Sequence, residues 1–171
     1  AYIDTLMMIY DQRIQYFGKE GYVLGLKGYE LIGVDKSRAE ESLGYLQQSL
    51  DLDGNKSSVQ AVYGYMQAIV NLEKKGEKTK QDVLAAYARI SEIADYNIVN
   101  KTKTAKYFVQ YSEKIENLFT PYANCDDLIV VVGPCIGKNN YEVKYNFLKK
   151  FLKRDKKNKI FFHKKNKSHY Y

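Results

Sequence analysis

The chain of 171 residues has no tryptophan, two prolines and two cysteines, and both of its histidines, His163 and His169, lie near the C-terminus. Residues 1–137 therefore lack the imidazole that Ser-His-Asp and Cys-His catalysis require. Cys125 and Cys135 alone are too few ligands for a zinc site. No apolar run reaches the length of about eighteen residues that indicates a membrane-spanning helix. We expect no catalytic residue, no metal site and no cofactor.

Basic charge is concentrated at one end of the chain. Residues 138–171 hold twelve of the 27 Lys and Arg residues and two of the 20 acids, whereas residues 1–137 hold fifteen bases and eighteen acids. The formal net charge of +7 thus reflects the C-terminal segment. It gives no reason to expect that the rest of the chain binds nucleic acid.

Apolar residues in residues 1–124 recur at spacings of three and four, which is the period of an amphipathic helix. The predicted helices are 3–17, 22–33, 38–52, 58–75, 80–99 and 103–123. Capping boxes are expected at Ser37 with Glu40, Ser57 with Gln60 and, as a close variant, Thr79 with Asp82. Helix-terminating glycines are expected at Gly18, Gly33, Gly54 and Gly76.

The short connections predict that neighbouring helices pack antiparallel, and alternate helix starts recur at intervals of about 35 to 45 residues, as in helix-pair repeats. Four glycines inside helices would each cost about 1 kcal/mol relative to alanine, so we expect close helix crossings there. They are Gly25, Gly28, Gly44 and Gly64. The predicted fold class is all-α, an antiparallel helix-hairpin array or α-solenoid fragment, with an irregular basic tail. An ordinary helical bundle is the alternative.

The stretch YIDTLMMIYDQRIQYFGKEGYVLGLKGYEL, residues 2–31, resembles a family of tetratricopeptide-repeat (TPR) proteins from Bacteroidetes, and LFTPYANCDDL, residues 118–128, resembles a later part of that family. LDLDGNKSSVQAVYGYMQAIV and ISEIADYNIVN between them also fit, so the resemblance covers about residues 2–128. It implies a TPR-like fold, a location in the periplasm or cell envelope, and a role in protein interaction. It implies no catalytic residues. Leu26 stands where a basic residue is expected, and the sequence departs from the family after Leu128.

Three regions follow from this reading. Residues 1–124 form the helical repeat domain, residues 125–137 an apolar, glycine-containing linker, and residues 138–171 a lysine-rich tail with a candidate helix at 141–153. Lys, Asn, Phe, Ile and Tyr supply 25 of the 34 tail positions, a composition typical of codons made only of A and T. We therefore hypothesise that the tail is not family sequence and arose by frameshift or truncation. The linker lacks the glycine spacing and the hydroxyl of a phosphate-binding loop.

Tyrosine is abundant, with seventeen residues, and several tyrosines could line a groove that binds a peptide. The alternative is that they fill the core between helices and their hydroxyls reach the surface. The candidate groove residues are Tyr45, Tyr63, Tyr65, Tyr87, Tyr107 and Tyr111.

The sequence thus favours a non-catalytic scaffold or adaptor that binds an unknown protein or peptide and is not an enzyme. We also expect that the chain is a fragment whose uncapped helix faces favour self-association. The alternative function is binding of nucleic acid or an anionic membrane through residues 138–171. The candidate polyanion contacts are Lys149, Lys150, Lys153, Arg154, Lys156 and Lys157.

Overall fold

The computed structural model describes residues 2–122, and these residues form helices and short connections without a strand. The all-α class predicted from the sequence is confirmed. The linker at 125–137 and the tail at 138–171, with its candidate helix, lie outside the described residues. The α-helices are α1 (Tyr2–Phe17), α2 (Gly21–Val34), α3 (Ala39–Asp53), α4 (Val59–Lys74), α5 (Lys80–Val99) and α6 (Ala105–Phe119), with 3₁₀ turns at Lys36–Arg38, Gly54–Lys56 and Thr120–Tyr122.

The helices are arranged as a stack of hairpins. Each helix contacts the next one along the chain, and α4 also contacts the second helix on either side, α2 and α6. Helix α4 therefore lies at the centre, in contact with α2, α3, α5 and α6, whereas α1 packs mainly on α2. This is the contact pattern of a helical-repeat array, and it places α2, α4 and α6 side by side.

One of the three predicted capping boxes is present. The Thr79 hydroxyl accepts from the Asp82 amide, and the Asp82 carboxylate accepts from the Thr79 amide, so both polar groups at the start of α5 are satisfied. At α4 the prediction of Ser57 is wrong by one residue, because Ser58 caps the helix and the buried Ser57 hydroxyl donates to the Gly54 carbonyl. Ser37 does not cap α3.

A 3₁₀ turn explains the wrong prediction at Ser37. The Asp35 carboxylate accepts from both the amide and the hydroxyl of Ser37, which draws this segment into the turn before α3 begins. Helix α2 extends to Val34, directly before Asp35. As a result, Gly33 lies inside α2 and does not terminate it, whereas Gly18, Gly54 and Gly76 have positive φ at helix ends as predicted.

Close helix crossings occur at three of the four glycines expected to mark them. A Cβ on Gly28 would lie 2.5 Å from Leu46 Cγ, and one on Gly25 would lie 2.8 Å from Ala61 Cβ. A Cβ on Gly64 would lie 3.2 Å from the Tyr29 Cα. These contacts let α2 lie directly against α3 and α4. The prediction for Gly44 is wrong, because nothing lies within 4 Å of its missing Cβ.

A buried asparagine joins two loops at one end of the array. Asn97 is 2% exposed, and its amide nitrogen donates to the carbonyls of Asn55 and Ile93. Its side-chain oxygen accepts from the hydroxyls of Thr102 and Thr104 at 2.7 and 2.9 Å. Every polar group of this side chain is thereby paired, which a buried amide requires if it is not to destabilise the fold.

Candidate functional site

Three tyrosines from three different helices meet on one face of the array. Tyr63 of α4 lies between Tyr29 of α2 and Tyr111 of α6, with ring centroids 6.3 Å from Tyr29 and 5.5 Å from Tyr111. Both pairs have the tilted or edge-on geometry that aromatic quadrupoles favour. All three side chains are only partly buried. We call this group the tyrosine ladder, and it forms because α2, α4 and α6 are neighbours.

The hydroxyls of Tyr29 and Tyr63 are held in their neutral form. Burial raises the pKa of Tyr29 to about 12, and a hydrogen bond with Tyr111 and the charge of Glu30 act in the same direction. Burial, followed by the charge of Tyr111, also raises the pKa of Tyr63. The ladder therefore offers hydroxyl groups that donate as well as accept hydrogen bonds over the physiological pH range.

Amide side chains continue the same face along α4. Gln60 precedes Tyr63 by three residues, and Gln67 and Asn71 follow it by four and eight, so they share its side of the helix. The Gln67 side-chain oxygen is buried and accepts no hydrogen bond within the described residues. An unsatisfied buried acceptor costs on the order of 1–3 kcal/mol. This face thus combines aromatic rings and amides, with one unpaired acceptor buried beneath it.

Opposite charges flank the ladder. Glu30 follows Tyr29 on α2, and its charge, after burial, raises the pKa of Tyr10 on α1 and also contributes to the raised pKa of Tyr29. Lys114 lies on α6 with its Nζ 4.7 Å from the centroid of the Tyr111 ring. A negative charge therefore lies at one end of the ladder and a positive charge at the other.

The structure brings two of the six predicted groove tyrosines together, Tyr63 and Tyr111. Tyr107 lies one turn before Tyr111 on α6 and is 43% exposed, with Lys106 Nζ 4.9 Å from its ring centroid. The sequence reasoning missed Tyr29 and Glu30. Sequence spacing could have identified Tyr29, which follows Tyr22 by seven residues and Leu26 by three. These three residues share one side of α2, away from the side that carries its buried apolar residues.

The remaining predicted groove tyrosines lie elsewhere. Tyr45 of α3 covers the buried Lys27, whose Nζ is 3.9 Å from the ring centroid and is bonded to Asp11. Tyr65 is buried beneath the Arg89 guanidinium. Tyr87 stacks on Phe119 with centroids 3.8 Å apart, and burial raises its pKa. These three side chains are packed against neighbouring helices, which corresponds to the alternative of tyrosines that fill the core.

Lys27 gives α1 its polar attachment to α2. Burial alone would lower the pKa of this ammonium, but the hydrogen bonds with Asp11 and Tyr45 outweigh burial and leave the pKa raised. The side chain is 2% exposed, and its charge is stabilised by Asp11 together with Tyr45. This residue is thus structural, on a different side of α2 from Tyr29, because two residues correspond to roughly 200° around a helix.

The described part of the chain lacks the residues of a metal centre. It has no histidine or cysteine, and no group of three or more metal-ligating side chains within residues 2–122 could hold an ion. None of its helices is long and apolar enough to cross a bilayer. The six candidate polyanion contacts between Lys149 and Lys157 lie outside the described residues, so the alternative function stays a prediction.

Part of the chain matches the model of a known family. Residues 103–171, less than half of the chain, match the model of the family described as multi-copper polyphenol oxidoreductase laccase. No curated protein and no solved structure matches significantly. The match begins just before α6 and includes the whole lysine-rich tail, for which we expected no family relationship.

This match corrects two predictions. Membership of a Bacteroidetes TPR family is wrong, because the family whose model matches is an oxidoreductase family. The prediction that the protein is not an enzyme is contradicted for the same reason. The expected cell-envelope location depended on the TPR resemblance and stays a prediction without further support.

Copper suits imidazole and thiolate ligands, so the family description can be tested against the residues present. Residues 103–122, the part of the match that the structure describes, contain neither histidine nor cysteine. The described residues therefore do not fit a copper centre. Cys125, Cys135, His163 and His169 lie outside them.

Proposed function

We propose that residues 2–122 form a protein-interaction module whose tyrosine ladder binds an extended peptide segment. The observation that carries this proposal is the meeting of Tyr29, Tyr63 and Tyr111 from three helices on one partly exposed face. Stacked helix hairpins present such continuous faces to extended partners.

The chemistry of the face supports a peptide as the ligand. Tyrosine gives a large contact area at low cost in conformational entropy, because it has only two side-chain torsions and is already positioned by its neighbours. The Tyr63 hydroxyl stays protonated and can donate to a main-chain carbonyl, and the hydrogen-bonded hydroxyls of Tyr29 and Tyr111 can still accept from a main-chain amide. An extended peptide supplies both kinds of group along its whole length.

A displayed library of random hexapeptides tests the proposal on the full chain. We expect the protein to enrich a family of related sequences and Tyr63→Ala to lose this enrichment, since the central ring of the ladder is removed. Tyr96→Ala is the matched control, because Tyr96 is 45% exposed on α5, outside the ladder. Circular dichroism of both variants verifies that the helices are retained. Absence of enrichment, or equal enrichment by Tyr63→Ala, would contradict the proposal.

The family match favours a second function, a copper-dependent oxidoreductase activity that involves residues 103–171. When bound, copper would supply one-electron chemistry with oxygen. The described residues provide no ligand set for it, so we derive no catalytic step.

Copper loading tests this second function directly. The full chain is incubated with copper(II) and dialysed, and its copper content is measured together with oxygen uptake in the presence of a simple diphenol. Retained copper and diphenol-dependent oxygen uptake are expected if the function holds. A chain that retains no copper and consumes no oxygen would exclude it.

A further inference from the structure

We propose that the tyrosine ladder binds a short extended peptide with opposite charges at its two ends, its cationic end over Glu30 and its anionic end over Lys114. This inference rests on the proposed function and specifies the partner of the same surface. It depends on which charges lie at the ends of the ladder and on how they are paired.

The order of groups across the face is set by the helices that carry them. On α2, Tyr29 contacts Tyr63 of α4, and Glu30 is the next residue along that helix. On α6, Tyr111 contacts Tyr63, and Lys114 lies one turn further along the helix. The face therefore runs from a negative end through three neutral rings to a positive end.

Neither end charge forms an ion pair within residues 2–122. The salt bridges among residues 2–122 do not include Glu30 or Lys114, and the contact of Lys114 is with the face of the Tyr111 ring. Most other acids near this part of the array are paired. Asp4 binds Arg38, Asp11 binds Lys27, and Glu20 binds Arg13. A ligand with complementary charges would give Glu30 an opposite charge that the described fold does not supply.

The middle of the ligand should be uncharged. Between the two end charges the face presents rings, hydroxyls and amides, and a charged residue there would lose solvation without gaining an ion pair. Adjacent packed helices are roughly 8–10 Å apart, so α2 to α6 spans on the order of 15–20 Å. An extended chain advances about 3.3 Å per residue, so about five or six residues cover this distance.

Selection from a hexapeptide library by wild type and by the double variant Glu30→Lys with Lys114→Glu tests the inference. Wild type should enrich peptides with Lys or Arg at one end, Asp or Glu at the other and uncharged residues between. The double variant keeps the net charge of the protein and should enrich peptides whose charged ends are exchanged. It should also bind a synthetic wild-type consensus peptide about fivefold more weakly.

A second double variant, Glu92→Lys with Lys56→Glu, makes the same charge exchange at exposed positions outside the ladder. It should enrich the same peptides as wild type. Enriched peptides without an end-charge preference, or a preference that the Glu30 and Lys114 exchange leaves unchanged, would overturn this inference alone. No enrichment by any form of the protein would overturn it together with the proposed function.

Discussion

Helices α4 and α1 have the same length and similar apolar spacing, but their environments are opposite. Ten of the sixteen residues of α4 are buried, whereas Met7 is the one buried residue of α1. Ile9 of α1 is 53% exposed, and Met66 of α4 is fully buried. The sequence of each helix predicts an amphipathic element equally well, so the difference comes from position in the stack.

Neighbours on several sides decide how much of a helix is buried. Helix α4 contacts four other helices, whereas α1 packs mainly on α2 through one stripe and leaves a second apolar stripe, Tyr2, Ile9 and Tyr16, exposed. In a stacked array each element stabilises the next, so the free energy of unfolding is concentrated where both sides are covered. The following predictions test that contrast.

Truncation of a core side chain should give the largest effect. Met66→Ala should lower the free energy of unfolding by about 2–5 kcal/mol, because it removes buried methylenes and leaves a cavity. Ile9→Ala should change it by about 0.5 kcal/mol or less, since that side chain is half exposed. Urea unfolding followed by circular dichroism measures both. A large loss for Ile9→Ala would mean that α1 is covered in solution and the contrast is wrong.

Two glycines in helix interiors should respond with opposite sign. Gly28→Ala should destabilise the protein by about 1–3 kcal/mol, since its Cβ would lie 2.5 Å from Leu46 Cγ and 3.0 Å from the Ser42 carbonyl oxygen. Gly44→Ala should stabilise it by about 1 kcal/mol, because the new methyl group meets nothing and alanine favours a helix. Thermal unfolding compares the pair. Equal changes of the same sign would refute the close crossing of α2 and α3.

Alkaline pH should lower the free energy of unfolding through the contact between Tyr122 and α4. The buried Tyr122 hydroxyl donates to the Glu73 carboxylate at 2.6 Å, and burial, with this hydrogen bond, raises the pKa of Tyr122 to about 12. The unfolded chain loses the phenolic proton at lower pH, so stability present below about pH 10 is lost between about pH 10 and 12. The loss from this group should be about 1–2 kcal/mol.

Tyr122→Phe provides the control for this pH dependence. The variant lacks the titrating hydroxyl, so its free energy of unfolding should fall less steeply over the same pH range. Tyr29, with its pKa also raised to about 12, adds a slope common to both proteins. Identical slopes for the two proteins would show that Tyr122 does not titrate as proposed.

The smallest effect is expected at the attachment of α1. Asp11→Asn removes the carboxylate that pairs with Lys27, but Asp11 is 62% exposed and Tyr45 still covers the ammonium. The global free energy of unfolding should change by less than about 1 kcal/mol. Hydrogen exchange should become faster in α1 and remain unchanged in α4. Faster exchange in both helices would contradict independent local opening of α1.

Much of the secondary structure could be predicted because its signals are local. The spacing of apolar residues placed α5 at 80–99 as observed and α1, α2 and α4 within one residue at each end. Thr79 with Asp82 identified the start of α5 for the same reason. Ser57 was the wrong cap because two adjacent serines offer the same chemistry, and only the packing of the preceding turn selects Ser58.

The candidate site was harder to predict because it depends on helices that are not consecutive. Tyr63 and Tyr111 were selected as tyrosines that could line a groove, but so were Tyr65 and Tyr87, which make different contacts. Apolar spacing does not reveal which side of α4 faces α2 and α6. Tyr29 was missed because its partner lies across that interface and not on the neighbouring helix α3.

The buried Asn97, which joins two loops, has a practical consequence for protein engineering. Because Asn97 joins the connection at Asn55 to the one at Thr102 and Thr104, foreign sequence inserted there would leave a buried amide without partners. The turn around Gly76, at the other end of α5, is exposed, and its backbone amides bond to carbonyls of α4, whereas the Lys75 side chain donates to the Ser37 carbonyl. Epitope tags, fluorescent reporters or new termini from circular permutation should therefore be accommodated at Gly76.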